Sequence, residues 1–571
     1  MNPNNHWSNL FVNELATSGL TAVCIAPGSR STPLTLAFHQ HPDIEVYLHL
    51  DERCAAFFAL GMAMATQKPV ALVCTSGTAA AEFYGAIIEA RQANIPLLIL
   101  TADRPPELRH SGANQTVDQV KMYGDQVLWS VDVALPEAAA PAVALRNIQT
   151  LACRAYATAL GLMNSAATGP VHLNFPFRKP LEPNIDDYLQ EKQSLHRPKT
   201  HFAHAMLQPF TAQISTIAQT IGQHERGLII CGPRCPGGDF LQSIAQLAQQ
   251  SGYPLLADPL SGLRFGPHVA DTPIIGGYEG MLASAESFDV LLRFGALPTS
   301  KTINDYINRS MAEKSQSSHY IHVSENGIWA DDSHWITEFI HADPTLLCQQ
   351  VTQSVVKRDS FAWLRNFMKA ENWYWKEIEQ HLENIFFDGT AVAMVAEAVP
   401  PQTNLFISNS LPIRHMDQFV RPSTTPLQTF ASRGASGIDG VTSTALGVAA
   451  SSADPLVLII GDVAFYHDLN GLLAIRQHGL NNVTIVLLNN NGGNIFRRLP
   501  IAEFEPAFTE LFLTPHGLDF EPAAQMYGLA YTKAADRDSF QAALNHSIQD
   551  ASPWIIEVST DGIQDDVLRK L

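Results

Sequence analysis

LVLIIGDVAFYHDLNGLLAIRQHGLNNVTIVLLNNNGG, residues 456–493, is the stretch on which the fold turns. One apolar run, LVLIIGD (456–462), ends at Gly461-Asp462 and a helical pattern follows it. A second, VTIVLLNNN (483–491), ends in Asn489-Asn490-Asn491 just before Gly492-Gly493. Strand-length apolar runs separated by helical segments mark a parallel sheet covered on both faces. In such sheets ligands gather beyond the carboxyl ends of the strands. Asp462 and Asn490, with 27 residues between them, therefore come together at two strand ends. Both are hard oxygen donors. Magnesium takes one or two carboxylate-type ligands and fills its remaining positions with phosphate oxygens and water. The helix start after Gly461 offers backbone N–H groups to a diphosphate. Gly492-Gly493 lets the chain turn and present a carbonyl. Helix capping by Asp462 and turn formation by the asparagines would explain each residue alone. It does not explain their conjunction.

The same theme recurs outward from this stretch. Upstream in the same block, NLFISNS (404–410) is a further run, and WIIEVSTD (554–561) closes it. A first block holds TAVCIAPG (21–28), VALVCTSG (70–77), IPLLILTAD (95–103) and GPVHLNFP (169–176). A middle block holds GLIICGPR (227–234), YPLLADPL (253–260), FDVLLRFGA (288–296) and HYIHVSENG (319–327). A charged, proline-containing linker from Arg178 to about His204 divides the first two, and a connector rich in aromatics and charges, roughly 345–385, divides the last two. The fold class is α/β, with three open parallel-sheet domains at 1–180, 205–345 and 385–571. Polar residues just after the runs are the functional candidates. They include Ser29-Arg30, Thr75-Ser76-Gly77, Asp103-Arg104 and Ser408-Asn409-Ser410.

Composition narrows the function. The 571 residues are 46% hydrophobic and 16% charged, which suits large buried cores and not disorder. A net charge of −19 disfavours nucleic acid and anionic membrane as partners. It leaves room for small anionic substrates met by local arginines. Seven scattered cysteines imply a reducing compartment. The N-terminus shows helical spacing of Trp7, Leu10, Phe11 and Leu15 and no signal-peptide pattern, and no run of apolar residues is long enough for a membrane span. A cytoplasmic location is expected.

VYLHLDERCAAFFALGMAMA (46–65) places Glu52 after a strand and at the opening of a helix whose apolar face is Ala55, Ala56, Ala59, Leu60 and Ala63. A glutamate in a first helical turn ordinarily complements the helix dipole. Gly461-Asp462 followed by Asn490, however, resembles the motif of thiamine-diphosphate-dependent enzymes, with Val463 where many relatives carry a second glycine. That resemblance implies that Asp462, Asn490 and the Gly492 carbonyl hold Mg2+ (or Mn2+). It also makes Glu52 the carboxyl that exchanges a proton with N1′ of the cofactor's aminopyrimidine.

More specific segments follow. APGSRSTPL (26–34), LDER (50–53), TSGTA (75–79), LTADRPPELR (100–109), GANQT (112–116), SNSLPIR (408–414), SRGASGIDG (432–440) and NNGGNIF (490–496) resemble the 2-succinyl-5-enolpyruvyl-6-hydroxy-3-cyclohexene-1-carboxylate (SEPHCHC) synthase family. The resemblance is dense in the first and third blocks and thin in the middle one. It implies a transferase of menaquinone biosynthesis. Such an enzyme decarboxylates 2-oxoglutarate and adds the succinyl carbanion equivalent to isochorismate, giving SEPHCHC and CO2. By the same resemblance, the thiamine diphosphate contacts are Glu52, Thr75, Ser76, Gly77, Ser408, Asn409, Gly437, Ile438, Gly461, Asp462, Asn490 and Ile495. The substrate contacts are Ser29, Arg30, Arg104, Gln115, Lys301, Asn409, Ser410, Arg414, Arg433, Ile495 and Phe496. Both substrates are dicarboxylates, and arginine binds carboxylate through paired, charge-assisted hydrogen bonds. Core packing accounts equally well for Ile438, Ile495 and Phe496. Thr302 stands after Lys301 where the family pattern has a second basic residue. Relatives bridge the cofactor between a first-type domain of one subunit and a third-type domain of its partner, so a homodimer or dimer of dimers is expected. The rival is a 2-oxoacid decarboxylase or acetohydroxyacid synthase. The chain has no His-His pair of the kind many decarboxylases use.

Overall fold

The computed structural model describes residues 2–163, 167–183, 199–203, 205–314, 317–358, 361–550 and 552–568. Most of the linker expected at 178–204 therefore lies outside the described residues, as do Met1 and 569–571. The expected N-terminal helix is α1 (Pro3–Ser18), with Trp7, Leu10, Phe11 and Leu15 buried.

Three six-stranded, all-parallel sheets form the chain. The first contains β1 (Ala22–Ile25), β2 (Glu45–Leu48), β3 (Val70–Cys74), β4 (Leu97–Asp103), β5 (Trp129–Asp132) and β6 (Pro170–Pro176), in the order β2-β1-β3-β4-β6-β5. The middle sheet contains β7 (Gly227–Cys231), β8 (Leu255–Ala257), β9 (Ile274–Ile275), β10 (Val290–Phe294), β11 (His319–Ser324) and β12 (Glu338–His341), in the order β12-β11-β10-β7-β8-β9. The third contains β13 (Asn404–Ile407), β14 (Gln428–Phe430), β15 (Leu456–Gly461), β16 (Val483–Asn489), β17 (Ala530–Ala534) and β18 (Trp554–Ser559), in the order β14-β13-β15-β16-β18-β17. The first and third sheets thus repeat one topology, strand for strand, and the middle one differs.

Central strands are mostly apolar because helices cover both faces, although β6 carries His172 and Asn174 and β10 carries Arg293. In the third sheet Gly461 pairs with Leu488, so the polar ends of β15 and β16 stand at one level. The helices that position functional residues are α2 (Glu52–Thr66), α3 (Tyr84–Ala93), α4 (Asp388–Ala398), α5 (Val441–Ala450), α6 (Asp462–His467) and α7 (Gly562–Leu568).

The first and third units meet through α2 and α5. A Cβ on Gly61 would lie 1.9 Å from the Thr444 carbonyl oxygen, and one on Gly447 would lie 2.0 Å from that of Phe58. Glycine at both positions lets the two backbones touch. Around this crossing one buried cluster runs from Leu72 and Ile99 of the first sheet, through Phe58 and Leu446, to Leu458 and Ile485 of the third. The middle unit is tied to the third by Arg264, whose guanidinium is buried against Asp417 at 2.5 Å and donates to the Val420 carbonyl at 3.0 Å. Among the described residues no helix is long and apolar enough to cross a membrane.

Candidate active site

Asp462 is the first residue of α6, directly beyond β15. Its carboxylate is buried, and each oxygen is held. Oδ1 accepts the Val463 N–H at 2.7 Å, and Oδ2 accepts the Gly492 N–H at 2.9 Å with His516 Nε2 at 3.2 Å. Burial pushes the carboxyl above its ordinary range, and the two backbone donors and His516 offset only part of that. Gly492 has φ +134°, and a Cβ there would sit 2.2 Å from the Leu513 carbonyl oxygen. Only glycine fits this turn. Asn490 Nδ2 donates to Asp388 Oδ2 at 2.9 Å, which fixes which way the amide faces. Its Oδ1 accepts from Asn494 Nδ2 at 2.7 Å. Above Gly461 the space is open, since a Cβ there would meet no atom within 4 Å.

Glu52 begins α2, but Asp51 caps the helix, its Oδ1 accepting the Cys54 N–H at 3.2 Å. Capping therefore does not occupy Glu52. Among the described residues its carboxylate accepts no hydrogen bond and makes no ion pair. It lines a cavity of about 820 Å³ with Thr75, Thr78 and Gln115 from the first unit and Asn470, Leu473 and Tyr527 from the third. Gln115 Nε2 donates to the Ser76 carbonyl at 2.9 Å, and Gln119 Oε1 accepts the Gly77 N–H at 2.9 Å. These bonds fix the turn after β3, the place equivalent to that of Asp462 in the repeated topology.

The arginines fall into two pairs. Arg30 donates to the Phe177 carbonyl at 2.8 Å, and Arg104 bonds Ser76 Oγ. Burial lowers the pKa of Arg30, and the charge of Arg104 lowers it further. In the third unit Arg414 bonds the Ser410 carbonyl, and Arg433 donates to Asn409 Oδ1 at 2.9 Å. Burial, then the charge of Arg433, lowers the pKa of Arg414. Each pair is thus two partly buried cations that repel, a setting relieved by an anion. Asn409 Nδ2 in turn donates to the carbonyls of Ser432 and Gly437, both at 2.7 Å. Ser408 Oγ and Ser432 Oγ are buried with no hydrogen-bond partner.

The remaining expected residues are placed as follows. Ser29 is exposed, and Ser410 sits in left-handed backbone at φ +73°. Ile438 is half-buried against the cluster between the first and third sheets. Ile495 and Phe496 are half-buried, with the Phe496 ring 5.7 Å from that of Phe512. Lys301 has a side chain 90% exposed, paired with Asp305 at 3.4 Å. It does not line the cavity that holds Glu52, and Thr302 beside it bonds Glu279. Asp462 does not line the cavity that holds Glu52 either. Sequence reasoning missed Asp388, Glu89 and His516. None of them follows a motif, and each is recognisable only by what it touches.

With this geometry in hand, the chain can be set beside known proteins. It matches the thiamine pyrophosphate enzyme N-terminal TPP binding domain over residues 6–122, the middle domain of thiamine pyrophosphate enzymes over 186–407 and the C-terminal TPP binding domain over 414–558. It is 51% identical to 2-succinyl-5-enolpyruvyl-6-hydroxy-3-cyclohexene-1-carboxylate synthase of Roseiflexus castenholzii, across 100% of this chain and 98% of that protein. The chain belongs to the 2-succinyl-5-enolpyruvyl-6-hydroxy-3-cyclohexene-1-carboxylate synthase family. The synthase of Haloarcula marismortui is 44% identical across 98% of this chain and 96% of that protein. Benzoylformate decarboxylase from Polynucleobacter necessarius shares the fold, with a TM-score of 0.72 at 19% identity, over 97% of this chain and 98% of that one. Glu52 lies within the stretch that matches the N-terminal TPP binding domain, and Asp462 and Asn490 lie within the stretch that matches the C-terminal one.

The residues present suit that cofactor. The donors at the β15 and β16 ends are one carboxylate, one amide and one carbonyl, all hard oxygens with a single negative charge. Such a set leaves the rest of a cation's charge for a diphosphate. The open space above Gly461 and the orphaned hydroxyl of Ser408 provide room and an unused polar group in the same unit.

Proposed function

We propose that this chain is a transferase that decarboxylates 2-oxoglutarate and adds the succinyl unit to isochorismate, releasing CO2 and forming SEPHCHC in menaquinone biosynthesis. The observation that carries this reading is the two repelling arginine pairs, Arg30 with Arg104 in the loops after β1 and β4, and Arg414, in the helix after β13, with Arg433, in the loop after β14. Nearby carboxylates, Asp103 beside the first pair and Asp417, Glu279, Asp258 and Glu89 beside the second, offset burial only in part, and a dicarboxylate supplies further anionic charge. An apolar 2-oxoacid, the substrate type of a simple decarboxylase, would add nothing to that partial offset.

In this reading Asp462 Oδ1 or Oδ2, Asn490 Oδ1 and the Gly492 carbonyl hold Mg2+ or Mn2+. Ser408, Asn409, Gly437, Ile438, Gly461 and Ile495 line the cofactor on the third unit's side, and Thr75, Ser76 and Gly77 line it on the first unit's side. Bound thiamine diphosphate supplies the electron sink for breaking the bond between a ketone carbon and its carboxylate. Glu52 holds and returns a proton at N1′ of the aminopyrimidine. The arginines grip carboxylates, with Ser29, Gln115, Asn409 and Ser410 as neutral partners, Phe496 and Ile495 excluding water, and Lys301 as an outlying cation.

The enzyme works as a homodimer or dimer of dimers in the cytoplasm, with the Glu52 face of one subunit completing the Asp462 face of its partner. The separation of these two residues into different surroundings supports that arrangement. Purified protein with thiamine diphosphate and magnesium should form SEPHCHC from 2-oxoglutarate plus isochorismate and give no product from pyruvate alone. Turnover of pyruvate with no isochorismate-dependent product would overturn the reading.

A further inference from the structure

Glu89 lies on α3 of the first unit, yet its carboxylate is spent on the third. Oε1 accepts the Gly434 N–H at 2.6 Å, and Oε2 accepts those of Ala435 at 2.7 Å and Ser436 at 3.2 Å. The side chain is buried, 3% exposed, and makes no ion pair among the described residues. Three successive N–H groups converging on one carboxylate form an anion nest. Charge-assisted bonds of this kind are about twice as strong as neutral ones. They also satisfy a buried charge that would otherwise be costly.

The contact is built into the backbone of both partners. A Cβ on Gly434 would lie 2.6 Å from the Glu89 carbonyl oxygen and 2.8 Å from the Ala93 nitrogen, so only glycine lets this loop lie on α3. Ser436, the third donor, takes φ +63°, where the chain turns away from α3. On its other side the same loop is held by its carbonyls. Asn409 takes those of Ser432 and Gly437, and Arg234 donates to that of Arg433 at 3.2 Å. Glu89 gathers the loop's donors while Asn409 gathers its acceptors, and Arg433 projects from between them onto Asn409 Oδ1.

We propose that Glu89 is a positioning residue for the substrate loop: it fixes the 432–437 backbone so that the Arg433 guanidinium is preset before a dicarboxylate arrives. The proposal rests on the assignment of Arg433 as a carboxylate ligand. A preset cation binds more tightly because less freedom is lost on binding.

The test is a double-mutant cycle on the holoenzyme with 2-oxoglutarate and isochorismate. Glu89→Gln keeps the side-chain length but turns an NH2 toward a backbone N–H. Its melting temperature should stay near wild type, amide exchange at 434–436 should quicken, and the KM of at least one dicarboxylate should rise about tenfold with a smaller fall in kcat, within the range for contacting residues. Arg433→Ala should raise the same KM. Glu89→Gln/Arg433→Ala should be no worse than Arg433→Ala alone, because Glu89 acts through that arginine.

Additive effects, or a wild-type KM in folded Glu89→Gln, would reduce Glu89 to a tie between units and overturn the proposal. A wild-type KM in Arg433→Ala would instead overturn the assignment of Arg433 itself. If Glu89→Gln folds poorly, Gly434→Ala displaces the same loop and must reproduce the KM rise. A folded Gly434→Ala with wild-type KM would also overturn the proposal.

Discussion

The Asp462 carboxylate accepts the Gly492 N–H at 2.9 Å, so one side chain at the end of β15 clamps the turn at the end of β16. The bond ties the residue that carries the Gly492 carbonyl to the carboxylate. Two of the three donors assigned to the metal are therefore linked by one interaction, with the Asn494 N–H holding the Gly492 carbonyl at 2.9 Å. The third, Asn490, is fixed separately by Asp388.

Asp462→Ala should lose magnesium and thiamine diphosphate together. The substitution removes a ligand and frees the turn that carries another. Loss of an outer partner of a metal ligand typically costs about 10–100-fold in metal affinity, so loss of a ligand should cost at least that. Calorimetric titration of the variant with thiamine diphosphate at fixed magnesium measures it. An affinity equal to wild type would remove Asp462 from the metal site.

How much of this was legible beforehand depends on position in the sheet. The apolar runs of the sequence mark the central strands of all three sheets. Of the six edge strands, only β2 stands out, through the pattern ahead of Glu52. The others, such as β5 (WSVD), β14 (QTF) and β17 (AYTKA), are short or carry polar residues because one side of an edge strand has no neighbour to bury against. Site residues divide in the same way. Asp462, Asn490 and Glu52 follow strands and could be found by that rule. Glu89 sits mid-helix within an ordinary amphipathic stretch, and its partners are 345 residues or more away, so only the tertiary contact reveals it.

Subunit complementation tests how the site is assembled. Glu52→Gln and Asp462→Ala proteins, each impaired alone, should regain activity when mixed under conditions of subunit exchange. Mixed dimers would contain one site with both residues intact. Absence of recovery despite exchange demonstrated by mass-tagged subunits would mean that each site is built within one chain.

Stability should depend on pH through Asp565. This residue of α7 is 4% exposed, and burial followed by the nearby charge of Asp388 pushes its carboxyl up to about 8. An unfolded aspartate titrates near about 3.9. The folded state thus keeps a proton that the unfolded state has lost. The associated stability is complete below the unfolded value and is lost as pH rises through the folded one. The melting temperature of the wild type should fall as pH rises from about 4 to about 8 and level off above that. Asp565→Asn, neutral at every pH, should flatten that decline in a calorimetric series. An equally steep decline in the variant would assign the effect to other groups.

Glu52→Gln separates the chemistry from the fold. Asp51, not Glu52, caps α2, so the substitution leaves the helix start intact. Glutamine keeps the length and can still hydrogen-bond, so folding, metal binding and cofactor loading should be largely retained. It cannot hold and return a full proton at N1′ of the aminopyrimidine. Positioned acid–base groups typically contribute about 10²–10⁴-fold, and the loss should be of at least that order. It should appear in the decarboxylation of 2-oxoglutarate even without isochorismate, because the proton at N1′ is needed before either substrate reacts. Hydrogen–deuterium exchange at C2 of the bound cofactor isolates this step from substrate binding. Slow exchange in a folded, cofactor-loaded variant is the expected result. Exchange at the wild-type rate would leave Glu52 as a first-turn glutamate with no part in the reaction.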